Sequence, residues 1–193
     1  MCISTSPERA AGAARGFTLI ELMVAAVLGG LVLTGVLTTN LQLMRSGVRV
    51  TQYAEMSSQV RRGIEQLAVD LKSASAITWN GASDITLTIP ALDGSTRQVT
   101  YAWTSASQSF FRVPGASSAV TVGRIYLVNG IPSLADGSAG LIFARYDRDG
   151  AAATTDAATK KVQVRMNAVR TARTAATSTD TTVSAIFVLR NKP

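Results

Sequence analysis

Histidine is absent from this 193-residue chain, and its single cysteine is Cys2. Serine–histidine–aspartate and cysteine–histidine nucleophile systems are therefore excluded from everything after position 2. So are zinc sites built from His and Cys. No intrachain disulfide can form, so an exported domain of this chain must hold together by packing alone. Cys2 has no lipobox-like residues before it and reads as incidental. Proline is missing from Phe17 to Ser75, aromatics make up only 6% of the residues, and no charged residue occurs between Leu22 and Met44. The last gap is a long apolar run, and ~20 such residues suffice for a helix to cross a bilayer.

What is present is arranged around that run. The length suits one anchored domain plus a helix. Apolar residues make up 47% of the chain, much of it in the run itself. The remainder is rich in Ala, Ser, Thr and Gly, which implies a modest core. Residues Met1 to Gly16 are polar and lack an apolar core. A secretory signal places its apolar core before the cleavage site, whereas here the apolar core follows the junction at Gly16-Phe17. One carboxylate, Glu21, stands just inside the run, where charge is expensive. The net charge is +7; Glu8, Arg9 and Arg15 precede the junction, so the chain from Phe17 onward carries +6.

The stretch Arg15-Gly16-Phe17-Thr18-Leu19-Ile20-Glu21 resembles the processing and methylation motif of type IV prepilins and pseudopilins. In that family Gly and Phe are followed by Thr-Leu-Ile-Glu, and the match is unbroken. The resemblance implies cleavage after Gly16 by a prepilin peptidase on the cytoplasmic side, N-methylation of Phe17, and a filament subunit rather than an enzyme. It also settles orientation, since Arg9 and Arg15 before the span are balanced by Arg45 and Arg49 after it. The leader is then cytoplasmic, and the C-terminal domain lies outside the bacterial inner membrane. Glu21 has two readings: an acid in the first turn of a helix, favoured by the helix dipole, or a carboxylate that pairs with the amine of Phe17 on a neighbouring subunit. The motif favours the second.

Gly29, Gly30 and Gly35 interrupt the apolar helix and allow close helix–helix approach. Many major pilins have Pro at the position of Thr38; this chain does not. Beyond Met44, the residues Met56, Val60, Ile64, Leu67, Leu71 and Ala74 recur at three- and four-residue spacing, one stripe of a helix. Arg61, Arg62, Glu65, Asp70 and Lys72 fall mostly off it. One continuous helix of about sixty residues would be ~90 Å long; a break near Arg45-Ser46-Gly47 is the alternative.

From Ile77 the period becomes two, as in Ile85, Leu87 and Ile89, and in Val99, Tyr101 and Trp103. Further strands are expected at Ser109–Val113, Val120–Val128, Leu141–Tyr146, Lys161–Met166 and Val183–Arg190. Asn80-Gly81, Asp93-Gly94, Asn129-Gly130, Asp136-Gly137 and Asp149-Gly150 read as turns. Thr171–Thr182 reads as a mobile loop, with a poorly patterned strand as the alternative. The expectation is an α+β protein: a long N-terminal helix, membrane-spanning in its first half, packed on one antiparallel meander. Its divisions are a leader (1–16), a transmembrane and assembly segment (17–44), an outer amphipathic segment (45–76) and a β-rich periplasmic domain (77–193).

The order Val99-Thr-Tyr101, Phe111-Arg112, Leu141-Ile-Phe143-Ala-Arg-Tyr146-Asp147, Val162-Gln-Val164 and Leu189-Arg190-Asn191 looks like the type II secretion minor pseudopilin J and the PilW-like minor pilins. That resemblance implies a subunit that helps initiate or cap a type IV pilus or a secretion pseudopilus. Its implied partners are the prepilin peptidase, fellow minor pilins or pseudopilins, and the assembly platform, and it implies no cofactor. Asp147, Asp149 and nearby Asp156 make a weak calcium candidate, because the pattern lacks further oxygen ligands and a closing Glu; a hairpin turn explains them better. Basic residues are scattered rather than grouped, which argues against DNA as a partner. The different-class alternative is a membrane-anchored binding module that contacts DNA or a surface.

Overall fold

The computed structural model describes residues 16–134, 136–170 and 179–192. The expected leader falls on residues outside these, apart from Gly16. The chain divides into two compact units, Met1–Met44 and Arg45–Pro193. One helix, α1 (Leu19–Ser73), runs without interruption through Gly47, so the expected alternative of a break there is not seen. In the first unit every described side chain is exposed. Its threonines do not break the helix. Thr34, Thr38 and Thr39 each donate their hydroxyl to the carbonyl four residues earlier, at 2.8, 2.7 and 2.9 Å, which leaves no hydroxyl hydrogen unpaired in an apolar segment.

The second unit is α+β. Its strands are β1 (Ala76–Gly81), β2 (Asp84–Pro90), β3 (Thr96–Thr104), β4 (Ser109–Pro114), β5 (Ile125–Asn129), β6 (Leu141–Tyr146), β7 (Lys161–Arg170) and β8 (Thr179–Val188). They form not one meander but two, a five-stranded sheet ordered β1 to β5 and a three-stranded sheet β6-β7-β8, antiparallel throughout. The sheets part because the chain after β5 runs irregularly through residues 130–134 and 136–140. Ile131 is buried there, and its carbonyl accepts the Trp103 indole N–H at 2.9 Å. The sheets remain stitched by Val169 N–H to the Gly130 carbonyl (2.7 Å) and Phe143 N–H to the Ala82 carbonyl (2.6 Å).

Several boundaries differ from the sequence expectation; β7 runs on to Arg170 rather than stopping at Met166, and β8 ends at Val188 rather than Arg190. The tight turn after β1 is Ala82-Ser83, and Asn80-Gly81 closes the strand. Strand β5 begins at Ile125, not Val120, because the preceding segment crosses the outer face of the five-stranded sheet. There Thr100 donates its hydroxyl to the Gly115 carbonyl at 2.8 Å, and the Arg124 guanidinium lies 4.1 Å over the Phe111 ring. Strand β8 starts at Thr179, so Thr179–Thr182 is strand and not loop; β-branched threonines suit a pleated edge. Residues 171–178 of the expected loop lie outside the described residues.

The core forms where the helical stripe meets the inner faces of both sheets. Met56, Val60, Leu67, Leu71 and Ala74 are buried against Ile85, Leu87, Tyr101, Phe110 and Val128, and against Leu141, Phe143, Val162 and Val164. Each such side chain contributes ~1.5–3 kcal/mol on burial. The few aromatics are grouped: Tyr101–Phe110, Phe110–Phe143 and Phe143–Trp79 have centroids 5.8, 6.2 and 6.5 Å apart. The helix approaches β5 closely at Gly63, where an added Cβ would lie 3.0 Å from Val128 Cγ2.

Within this core sits a charge. Asp70, on α1, is 2% exposed. It accepts the Tyr101 hydroxyl at 2.7 Å and the Arg112 Nε–H at 2.9 Å. Arg97 lies 3.9 Å away and is exposed, so it adds little. Burial pushes the Tyr101 phenol well above the ordinary tyrosine value, and the adjacent Asp70 carboxylate adds to the shift. Desolvation opposes the Arg112 charge, yet Asp70 holds its pKa above the usual arginine value.

Asp70→Ala leaves Arg112 without its buried counter-charge and is expected to cost ~3 kcal/mol in urea unfolding of the detergent-solubilised chain. Tyr101→Phe removes one donor to Asp70 and is expected to cost ~1–2 kcal/mol at neutral pH. A raised folded-state pKa gives stability that is complete below the unfolded tyrosine value, ~10, and is lost as pH rises above it. The gap between Tyr101→Phe and the parent should therefore narrow above that pH. A second expectation concerns Gly140, where an added Cβ would collide with the Pro132 carbonyl oxygen. Gly140→Ala should lower stability by ~2 kcal/mol or more, whereas Gly81→Ala, at a site with open space, should stay within ~0.5 kcal/mol of the parent.

Candidate functional site

The first described residues, Gly16, Phe17 and Thr18, precede the helix and are exposed. Thr18 is the N-cap of α1 and Leu19 its first helical residue. The Glu21 backbone N–H donates to Thr18 Oγ1 at 3.3 Å, and Glu21 Oε2 accepts both the Thr18 backbone N–H and its hydroxyl, each at 3.0 Å. This is a reciprocal capping box, Thr-x-x-Glu, that satisfies orphan donors at the helix start. The spacing was legible in the sequence, but the resemblance drew the reading toward an intermolecular role. In the isolated chain, the first of the two readings of Glu21, an acid in the first turn, is thus realised together with Thr18. Both of its hydrogen bonds fall on Oε2, and the side chain is exposed. Gly16, Phe17, Thr18 and Glu21 together line one shallow hollow.

Among the described residues nothing lies within 4 Å of a Cβ built at Gly16. Gly130 differs: its φ is +79°, and a Cβ would meet the Val169 carbonyl oxygen at 2.5 Å. Phe17 is 88% exposed, and no described neighbour packs on it as a core residue would.

The calcium candidates are not brought together. Asp147 Oδ1 accepts the Gly150 and Ala151 N–H groups at 2.8 Å each, so the carboxylate is spent on closing its own turn. Asp156 accepts from Arg145 Nη1 at 2.7 Å and from the Trp79 backbone N–H at 3.3 Å. Among the described residues, no group of three His, Cys, Asp or Glu side chains could hold a metal ion.

Several of the scattered cations have intramolecular tasks that the sequence did not reveal. Arg112 holds Asp70, Arg124 covers Phe111, and Arg145 pairs with Asp156 while lying 5.1 Å over the Trp79 ring. The Lys192 ammonium donates to the carbonyls of Asp156, Ala157 and Thr159. Burial lowers its pKa, and the neighbouring Lys160 charge lowers it further.

Comparison with curated proteins found no match. Residues 12–37 match the family model described as the prokaryotic N-terminal methylation motif. The same segment opens α1, which contains an 18-residue window of mean hydropathy 2.2, as an inner-membrane anchor requires. The chain thus carries the N-terminal methylation motif on a capped apolar helix, and this supports a type IV prepilin-like precursor.

Proposed function

We propose that this chain is the precursor of a minor pilin or pseudopilin subunit, cut between Gly16 and Phe17 and N-methylated on Phe17. The observation that carries the reading is the unbroken Gly16-Phe17-Thr18-Leu19-Ile20-Glu21 at the start of a capped apolar helix. The surroundings of Gly16 support it. The bond between Gly16 and Phe17 precedes the helix, where a peptidase can take it in extended form.

On this reading residues 1–16 are the leader and 17–44 the transmembrane and assembly segment. Residues 45–76 are the outer helical segment, and 77–193 a periplasmic β-domain. The mature subunit joins other minor pilins or pseudopilins in the inner membrane and helps start or cap a type IV pilus or a type II secretion pseudopilus. Glu21 then serves twice. Before assembly it caps its own helix through Thr18. In the filament its carboxylate pairs with the methylated amine of Phe17 on the next subunit, since a charge in an apolar medium demands a partner.

Intact mass and N-terminal sequencing of the protein from membranes of a host with a prepilin peptidase should show a start at methylated Phe17. A Met1 start, where that host processes other prepilins, overturns the reading. Glu21→Gln keeps an acceptor for the cap but removes the charge. It should still be processed yet fail to enter filaments, scored by immunoblot of sheared filaments. Thr18→Val, which removes the capping hydroxyl but keeps the charge, should reduce incorporation far less. Equal incorporation of Glu21→Gln and the parent would sink the pairing.

A further inference from the structure

Sheet edges are templates for unwanted strand pairing, and folded proteins blunt them with bulges, charge, proline, shortness or cover. Three of the four edges in the second unit are managed in these ways. Strand β1 is bulged between Trp79 and Gly81. Strand β6 is covered: its Phe143 N–H donates to the Ala82 carbonyl, and its Arg145 carbonyl accepts the Ala153 N–H. Strand β5 is five residues long, shifts register at Phe110/Phe111, and lies against Gly63 of the helix.

Strand β8 has no bulge, no proline, no shortness and no cover among the described residues. It is ten residues long and pairs with β7 in ten consecutive steps without a register shift. It contains no Pro, Lys or Arg, and Asp180 is its one charge. Its outward groups can be identified. The Leu189 N–H donates to the Lys160 carbonyl, so the pairing alternates from there. The amides of Thr182, Ser184, Ile186 and Val188 then point away from β7. Those same four residues carry exposed side chains, with Ile186 at 59% and Val188 at 51%. Among the described residues nothing hydrogen-bonds to these amides.

We propose that the free edge of β8 is a docking edge that takes an extended, acidic segment of a different protein as an added strand. A hydrogen-bonding row of this regularity is satisfied by another strand, and charge selects which one. On the face shared with Ile186 and Val188, β7 presents Lys161 opposite Val188 and Arg165 opposite Ser184. An added strand would lie two strand spacings from them, roughly 10 Å, about one Debye length at moderate salt, so the attraction is partly screened and strengthens as salt is lowered. A second copy of this chain would bring the same cations and a net charge of +7 to the edge, and be repelled. This proposal does not depend on processing at Gly16.

The test uses the full chain in detergent micelles and two ten-residue peptides, one alternating Val with Glu and the other Val with Lys. Amide hydrogen exchange of residues 179–188 is read by mass spectrometry. The Glu peptide should slow exchange across β8 and the Lys peptide should not. Ser184→Pro removes one outward N–H while sparing the ladder to β7, and should weaken the Glu peptide by roughly tenfold or more, whereas Ser184→Ala should bind as the parent does. Ile186→Glu, which leaves the backbone intact, should weaken the Glu peptide even if Ser184→Pro loosens β7. The proposal is overturned if neither peptide changes β8 exchange or if both protect it equally. Protection that rises with protein concentration alone would assign the edge to a second copy instead.

Discussion

A single buried carboxylate fixes how the second unit is put together. Asp70 sits on the apolar side of α1, where an acid would be intolerable without partners. Its partners come from neighbouring strands of the five-stranded sheet, Tyr101 from β3 and Arg112 from β4. A greasy stripe alone would accept small rotations or slides of helix on sheet at little cost. A short charge-assisted bond and a phenol bond to the same carboxylate accept only one arrangement. The aromatic group around Phe110 then fills the space that this arrangement leaves.

The first unit follows a different logic. It has no core, and all its described side chains are exposed. What it holds in order is the helix itself, through the Thr18–Glu21 box at its start and helix bonds along its length. Apolar side chains in such a segment are a surface offered to an apolar medium, and the methylation motif at its head fits a membrane anchor. The second unit carries individuality of another kind: a basic domain whose cations are in good part consumed by internal bonds, and one regular sheet edge left open.

Much of this was legible in the sequence because it rests on periodicity. The stripe from Met56 to Ala74 and the alternation through Ile85, Leu87 and Ile89 report burial directly, one face at a time. Leu141–Tyr146 was readable for the same reason. What escaped depends on contacts distant in sequence. Asp70 looked like one more acid beside the stripe, since nothing near it in sequence names Tyr101 or Arg112. The division into two sheets arises from the irregular segment after Gly130, which has no period to read. The start of β8 was hidden because threonine and alanine suit strand and loop alike. At the N-terminus the motif is plain, but the Thr18–Glu21 capping box is a local geometry that the resemblance does not name.

The threonines of the apolar segment have a further consequence. Thr34, Thr38 and Thr39 spend their hydroxyl hydrogens on the helix's own carbonyls. A segment in this condition can trade one set of neighbours for another, hydrocarbon for protein, without these three groups breaking or making a hydrogen bond. The exchange is then governed by fit and by the other polar groups of the segment, Glu21, Asn40 and Gln42 among them. At those three threonines the helix is polar in composition and yet behaves as a neutral surface.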